Sequence, residues 1–191
     1  MPEPRPDVMD FLQSRRSRPA KTLRAPGPDH AALAPILTAG LRVPDHGKLE
    51  PWRLVVFDGA AMDRLADLAR ARGAALGIVP DKIDKAALLF ETAPLMVLVV
   101  AAPVESEKVP EVEQILSAGC VCLSLVNAAL ASGWGANWIT GYAAHDAAFA
   151  QNLGLSEAET IAGFIFIGTE GAAPPERPRP DIAAKTQYVS I

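Results

Sequence analysis

The chain is poor in the residues that mark several classes of protein. Its 191 residues include only two cysteines and three histidines, and aromatic residues make up 6% of the sequence. Cys120 and Cys122 lie in an apolar segment, where a helical spacing of two residues points their side chains in different directions. We therefore expect no disulfide between them and two buried, chemically inert thiols.

Long apolar runs and a strong charge imbalance are also missing. No stretch approaches the roughly twenty uninterrupted apolar residues that cross a bilayer, and the N-terminus lacks the apolar core of a secretory signal. The net charge is −4, and the 18 basic residues are scattered, which disfavours nucleic acid and anionic membranes as partners. We expect a soluble, cytoplasmic protein that folds as a single domain over residues 1–191.

Two common kinds of site have no support in the sequence. No G-x-G-x-x-G follows a predicted strand, so we do not expect a Rossmann dinucleotide site. His46 and Glu50 have the spacing of two metal ligands, but neither His30 nor His145 stands where it would complete a site. We therefore expect no metal.

The apolar periodicity predicts helices first and then strands separated by helices. Asp7 and Asp29 are candidate N-caps of the first two helices. The continuous apolar run 94–101 has the length and β-branching of a central strand that is buried on both faces. Further strands are predicted at 52–57, just after 133–138 and at 160–167, and further helices around 60–72, 81–90, 109–132 and 146–152, with a glycine-rich break at 73–80. This order predicts an α+β domain.

The helix 109–132 becomes almost wholly small and apolar after its first turns, which predicts burial on all sides. The cover would be the rest of the domain together with a second subunit, so this helix is the candidate dimer interface; the alternative is an internal helix of a monomer. Residues 172–191 begin with a proline-rich stretch that fits neither a helix nor a central strand. We expect an extended C-terminal arm that lies on another surface.

Three segments carry groups suited to ligand binding. Arg15-Arg16-Ser17 offers two guanidinium forks and a hydroxyl, which suit a phosphate monoester; the alternative is a solvated helix end. The loop 42–52, R-V-P-D-H-G-K-L-E-P-W, brings cations and an aromatic ring between a helix and a strand, although Pro44-Asp45 and Gly47 also supply turn chemistry. In the segment 137–141, N-W-I-T-G, a glycine-rich turn precedes Trp138, so the backbone can approach a planar ligand.

Together these three segments resemble the flavin site of the nitroreductase family, particularly its short bacterial NAD(P)H nitroreductases. The resemblance extends from the N-terminal helix to the strand before Gly168. It implies a nitroreductase-like fold, in which a central, mainly antiparallel sheet is flanked by helices, and a homodimer that binds FMN at the subunit interface.

The resemblance also implies roles for individual residues. Arg15, Arg16 and Ser17 would engage the FMN phosphate and ribityl chain, and Arg42 would lie near the pyrimidine side of the ring, where a cation stabilises the reduced flavin. His46 would reach the flavin from the neighbouring subunit. The isoalloxazine would be lined by Trp138, Ile139 and Thr140, whereas Trp52 is assigned to the core. In the arm, Arg177 or Arg179 would meet the phosphate, with Arg177 favoured; the alternative is an exposed tail.

The implied activity is ping-pong hydride transfer from NAD(P)H through FMN to a small-molecule acceptor such as a nitroaromatic compound or a quinone. No catalytic acid, base or nucleophile is assigned, because the protein would bind and orient the cofactor and tune its potential. The chain has no room for the helical insertion that covers the flavin in longer members, which implies an open site. The alternatives are oxygen-dependent flavin chemistry on a non-nitro substrate and a flavin-binding protein without enzymatic activity.

Overall fold

The computed structural model describes residues 3–190, so the extreme ends of the expected domain lie outside the described residues. Five strands form one sheet in which every pair is antiparallel. The long last strand pairs with the third along one edge, and with the fourth and then the first along the other. The strands are β1 (Leu23–Arg24), β2 (Trp52–Asp58), β3 (Leu95–Ala101), β4 (Gly135–Ile139) and β5 (Thr160–Glu170).

Helices cover both faces of the sheet. They are α1 (Pro6–Ser14), α2 (His30–Gly40), α3 (Ala60–Ala75), α4 (Pro80–Thr92), α5 (Glu111–Ala131), α6 (Gly141–Ala144) and α7 (Ala147–Asn152). On one face α2 and α5 pack against the sheet, and on the other face α3, α4, α6 and α7 do so. This confirms the expected α+β class and the antiparallel sheet flanked by helices.

The strand β3 lies between β2 and β5 and explains why its sequence is continuously apolar. Its alternate residues enter different cores: Val97 and Val99 face α2 and α5, whereas Met96 and Leu98 face the other helices. All seven residues of the strand are buried. The prediction of a central strand is confirmed.

Within the single chain the helix α5 is buried on one side only. Its inner face, which includes Val121 and Leu125, is buried against the sheet. A stripe along its other side is open, so the alternative of a fully internal helix in a monomer is wrong, and cover by a second subunit stays a prediction. By length and composition alone α5 would be able to cross a membrane, but here it is the core helix of one layer. We call this open stripe the outer face of α5; it consists of Val112, Ile115, Leu116, Cys120 and Leu123.

Three smaller predictions also need correction. Cys122 is buried, and that burial raises the pKa of its thiol to about 12, but Cys120 is exposed on the outer face of α5. Asp29 caps α2 by accepting a hydrogen bond from the backbone N of Ala32 at 2.8 Å, whereas Asp7 lies inside the first turn of α1 and pairs with Arg5 instead. The expected break at 73–80 is present but shorter, because α3 continues through Gly73 to Ala75 and α4 begins at Pro80.

Candidate cofactor site

The segment that follows α1 and the proline-rich arm meet in a cleft of about 380 Å³. Arg15, Arg16 and Ser17 line one side, and residues 177–180, which include Arg177 and Arg179, line the other. Arg16 Nη2 donates a hydrogen bond to the carbonyl oxygen of Pro175 at 3.1 Å, which ties the arm to the motif. The structure thus brings together the predicted arginines from both ends of the chain. We call this the arginine cleft.

Donor groups in the arginine cleft remain without partners. Arg15 Nη2 donates to Ser17 Oγ at 2.9 Å, but the Nε atoms of Arg15 and Arg16 are buried and bond to nothing in the described part of the chain. Buried N–H groups are nearly always hydrogen-bonded in folded proteins. The chemistry of these donors fits an anion with several acceptor oxygens, such as a phosphate group.

The charges around the cleft favour the same kind of ligand. Burial lowers the pKa of Arg15, and the positive charges of Arg179, Arg16 and Arg18 lower it further. The nearby carboxylates are engaged at the margin, where Glu170 pairs with Arg18 and Glu176 with Arg179, each at 3.1 Å. A bound anion would relieve the repulsion among these guanidinium groups.

The strand β4 leads from the arginine cleft to Trp138. The carbonyl oxygen of Ala136, at the start of β4, accepts a hydrogen bond from the backbone N of Arg18 at 2.8 Å. Trp138 lies two residues further along, with its indole against Gly163 of β5 and its Nε1 donating to the carbonyl oxygen of Ala162 at 3.2 Å. Its side chain stays 39% exposed, so the ring can cover a planar ligand.

The two residues predicted beside Trp138 lie differently. Ile139 packs into the core on the opposite face of the sheet, and Thr140 lines a small cavity with it there. The side chain of Ile139 therefore does not share the face of Trp138. Contact of Ile139 or Thr140 with a flavin on that face remains a prediction, and for Ile139 it would involve backbone atoms.

The loop 42–52 is held against the start of α5. Ser117 Oγ donates to the carbonyl oxygen of Pro44 at 2.7 Å and accepts from Trp52 Nε1 at 3.0 Å. The carboxylate of Asp45 accepts from the backbone N of Leu49 and of Glu50, at 3.1 and 2.9 Å. Trp52 therefore serves the structure, as the sequence indicates, and nothing in the sequence marked Ser117 as its partner.

The two predicted ligands of this loop are both exposed. Arg42 follows the end of α2 and points its side chain into solvent. His46 Nδ1 lies 2.8 Å from Glu113 Oε2, in the first turn of α5. The histidine therefore pairs with a carboxylate 67 residues away rather than with Glu50.

One subunit does not bring the loop and the arginine cleft together. The loop contacts α5 at Glu113 and Ser117, whereas α1, which leads into the cleft, lies beside Asn127 and Ala131 at the other end of the helix. The span from Glu113 to Ala131 corresponds to about 27 Å of helix. If His46 acts on a ligand of this cleft, it must come from a second copy of the chain, whereas Arg42 follows Ala39, which lies beside Ser124 and α1.

A larger cleft of about 650 Å³ lies near α7 and the start of β5. Its two best-buried carboxylates, Asp146 and Glu159, are already bonded to Arg72 and Arg53, each at 2.6 Å. Because both carboxylates are already paired with an arginine, they are not available to bind a ligand. We therefore do not take this cleft as the candidate site. Within residues 3–190, moreover, no three His, Cys, Asp or Glu side chains are grouped as a metal site requires.

Comparison with known proteins gives a consistent result. The model of the nitroreductase family matches residues 12–169. A protein of Escherichia coli strain K12, named "Putative NAD(P)H nitroreductase YdjA", is 36% identical over 163 residues, which are 85% of this chain and 88% of that protein. A Haemophilus influenzae protein named "Putative NAD(P)H nitroreductase" is 35% identical over 164 residues, with the same two shares.

Solved structures show the same fold at lower identity. A nitroreductase-like family protein from Bacillus cereus superposes with a TM-score of 0.79 at 20% identity, over 99% of each chain. Nitroreductase CinD from Lactococcus lactis, solved in complex with nicotinic acid, gives a TM-score of 0.77 at 20% identity, over 96% of this chain and all of that one.

Proposed function

Because this chain belongs to the nitroreductase family, and is by that membership an oxidoreductase, we propose that it is an FMN-dependent NAD(P)H nitroreductase. The observation that carries the proposal is the arginine cleft, with two buried guanidinium Nε atoms that lack partners. An FMN phosphate supplies three acceptor oxygens and a double negative charge to such a site. Arg15, Arg16, Ser17 and Arg177 or Arg179 would hold it.

The protein would act as a homodimer built on the outer face of α5. Leu116 and Val112 are 65% and 61% exposed in the single chain, and a contiguous apolar stripe of this kind is typical of a protein interface. A twofold axis that crosses the middle of this face at right angles to α5 sets the two copies of the helix antiparallel, so that the start of one helix lies beside the segment around Leu123 of the other. His46 of the partner subunit would then lie closer to the arginine cleft than His46 of the same chain does.

The FMN held by Arg15, Arg16 and Ser17 would supply the hydride chemistry that couples oxidation of NAD(P)H to reduction of an acceptor in a ping-pong cycle. The residues of this chain would bind and orient the FMN and shield it from water. Trp138 would cover one part of the ring plane and exclude water, and the guanidinium of Arg42 would place positive charge at its pyrimidine side, which favours the reduced form.

The acceptor would be a small molecule, such as a nitroaromatic compound or a quinone, and the reaction would take place in the cytoplasm. This agrees with the names of the two curated relatives, both NAD(P)H nitroreductases. The 188 described residues contain only short connections between the helices around the site. This agrees with the open site that the family resemblance implies.

An anaerobic titration tests this function. The purified protein, loaded with FMN, is mixed with NADPH and then with NADH while its absorbance is followed, and it is then exposed to a nitroaromatic compound, a quinone or oxygen. We expect either nucleotide to bleach the flavin bands and a nitroaromatic compound or quinone to restore them. Reoxidation by oxygen alone with a degraded flavin would indicate oxygen-dependent chemistry instead, and flavin that no nucleotide reduces would indicate a binding protein.

A further inference from the structure

The pair formed by His46 and Glu113 joins two segments that lie 67 residues apart in the sequence. The two side chains are 60% and 46% exposed, so core packing does not fix them. Their contact at 2.8 Å nevertheless joins the loop 42–52 to the first turn of α5. The hydrogen bond itself is therefore what orients the imidazole.

The backbone that carries His46 is also fixed. Lys48 and Glu50 have positive φ angles of 53° and 48°, a conformation that non-glycine residues adopt only when their surroundings impose it. The two backbone bonds to the carboxylate of Asp45 and the bond from Ser117 supply that restraint. With the backbone held, the only freedom left to His46 is the rotation of its side chain.

The chemistry of the pair sets which nitrogen is free. An ionised carboxylate can only accept hydrogen bonds, so Nδ1 of His46 carries the proton in its contact with Glu113. Nε2, on the opposite side of the ring, then points away from this carboxylate and is available to another ligand.

We propose that Glu113 is a positioning residue that orients His46 so that its Nε2 meets the FMN bound in the partner subunit. This inference rests on the proposed function. Without Glu113 the imidazole would rotate among several orientations, and the flavin would have to immobilise it on binding. The alternative is that Glu113, like other acidic residues in a first helical turn, only interacts with the helix dipole.

Glu111 provides a matched control, because it is an exposed acid in the same first turn and has no side-chain hydrogen bond in the described part of the chain. Five variants are compared: Glu113→Ala, Glu113→Gln, Glu111→Ala, His46→Ala and the double variant that combines Glu113→Ala with His46→Ala. Glutamine keeps a carbonyl oxygen that can accept from Nδ1, so it should rescue the orientation. Each full-length variant is stripped of flavin, and its affinity for FMN is measured from the quenching of flavin fluorescence.

We expect Glu113→Ala to weaken FMN binding about tenfold, with Glu113→Gln and Glu111→Ala close to the wild type. In the His46→Ala background, Glu113→Ala should have no further effect, because the two residues act through one contact. An equal loss in that background, or an equal loss from Glu111→Ala, would overturn the inference.

A measurement without FMN separates this inference from the function. In ¹⁵N-histidine NMR of the flavin-free protein, the signal missing from His46→Ala identifies this residue among the three histidines. We expect it to show the Nδ1–H tautomer in the wild type and a mixed population in Glu113→Ala. If the tautomer is unchanged in Glu113→Ala, Glu113 does not orient His46. If the wild type shows the Nδ1–H tautomer but binds no FMN, the proposed function is wrong, while the hydrogen bond between His46 and Glu113 still stands.

Discussion

The arginines of this protein fall into two groups according to their partners. Arg53, Arg70 and Arg72 each donate to a carboxylate at 2.6 Å. Arg15 and Arg16 have buried Nε atoms with no such partner in the described residues. A guanidinium N–H group that is buried without an acceptor is costly unless a ligand supplies one. This contrast, more than the number of basic residues, marks the arginine cleft as an anion site.

Replacing Arg16 with alanine tests the anion site at the residue scale. A charge-assisted hydrogen bond to phosphate is worth about 1.5 to 3 kcal/mol, so Arg16→Ala should weaken FMN binding by that amount. The affinity is measured by fluorescence quenching, with Arg5→Ala as the control, since Arg5 is exposed and pairs with Asp7 at the far end of α1. Equal affinity in Arg16→Ala and the wild type would remove Arg16 from the site.

Gly163 lies directly beneath Trp138, and the sequence carried a signal for it. A glycine inside an apolar strand often marks a close approach of another group, and here a Cβ at Gly163 would overlap Nε1 of the indole. Ser117 and Glu113 carried no comparable signal, because both are ordinary residues of a helix and their partners lie 65 and 67 positions away.

The variant Gly163→Ala should displace the indole. We expect a loss of about 1 to 3 kcal/mol in the free energy of unfolding, a shift in tryptophan emission and weaker FMN binding. The control is Gly119→Ala, where a Cβ would lie 3.9 Å from Trp138 Cη2 and leave the ring in place. If Gly163→Ala keeps the wild-type emission spectrum, Trp138 does not rest on this glycine.

At the scale of elements, an ion pair joins the two strands that flank β3. Arg53 on β2 donates from Nε and Nη2 to the carboxylate of Glu159, just before β5, at 2.6 and 3.1 Å. These bonds, together with the backbone N–H of Ser156, lower the pKa of Glu159 from 4.5 to about 2. Because the folded-state pKa is the lower one, the contribution to stability is complete above about pH 4.5 and is lost as the pH falls toward 2.

The variant Glu159→Gln tests this pair. At pH 7 it should lower the free energy of unfolding by about 1 to 2 kcal/mol, after allowance for the partial exposure of Arg53, and the difference from wild type should shrink as the pH falls from 4.5 toward 2. Urea unfolding at several pH values measures it. Asp81→Asn, which breaks an exposed pair with Lys85, should change little; a difference for Glu159→Gln that does not depend on pH would contradict the account.

The sequence predicted best those elements whose pattern of apolar and polar residues has a single physical cause. The run in β3 is apolar because both faces of the strand are buried, and Asp29 caps α2 through a local bond. Local patterns were less exact where tertiary contact decides. Gly73 lies inside α3, where the helix packs so closely against Ile83 and Tyr142 that a side chain would not fit, and the break begins only after Ala75. The two-residue strand β1 exists only through its pairing with the end of β5.

At the scale of the whole molecule, the outer face of α5 is what the sequence could not resolve. An apolar residue looks the same whether it faces the core of its own chain or a second copy. Leu116, at 65% exposure, shows which side remains open, and so the structure divides the helix into two faces that composition had merged. The site is divided in the same way, because its parts lie at opposite ends of α5.

An acidic residue in the outer face should therefore separate the subunits. We expect Leu116→Asp to be monomeric by light scattering and to lose tight FMN binding, since a buried, unpaired charge is strongly unfavourable in an interface. Val79→Asp is the control, because Val79 is 55% exposed at the start of α4, away from α5. A dimer that survives Leu116→Asp would place the interface elsewhere.

The central claim is that each flavin site combines the arginine cleft of one subunit with the loop 42–52 of the other. Subunit mixing tests it most directly. Arg16→Ala damages the cleft and His46→Ala damages the loop, so each variant alone should bind FMN weakly. In a randomly exchanged mixture, half of the dimers are mixed and each has one intact site, so tight binding should return at about a quarter of all sites. If the mixture binds no more tightly than the separate variants, the two groups belong to one subunit or to no common site.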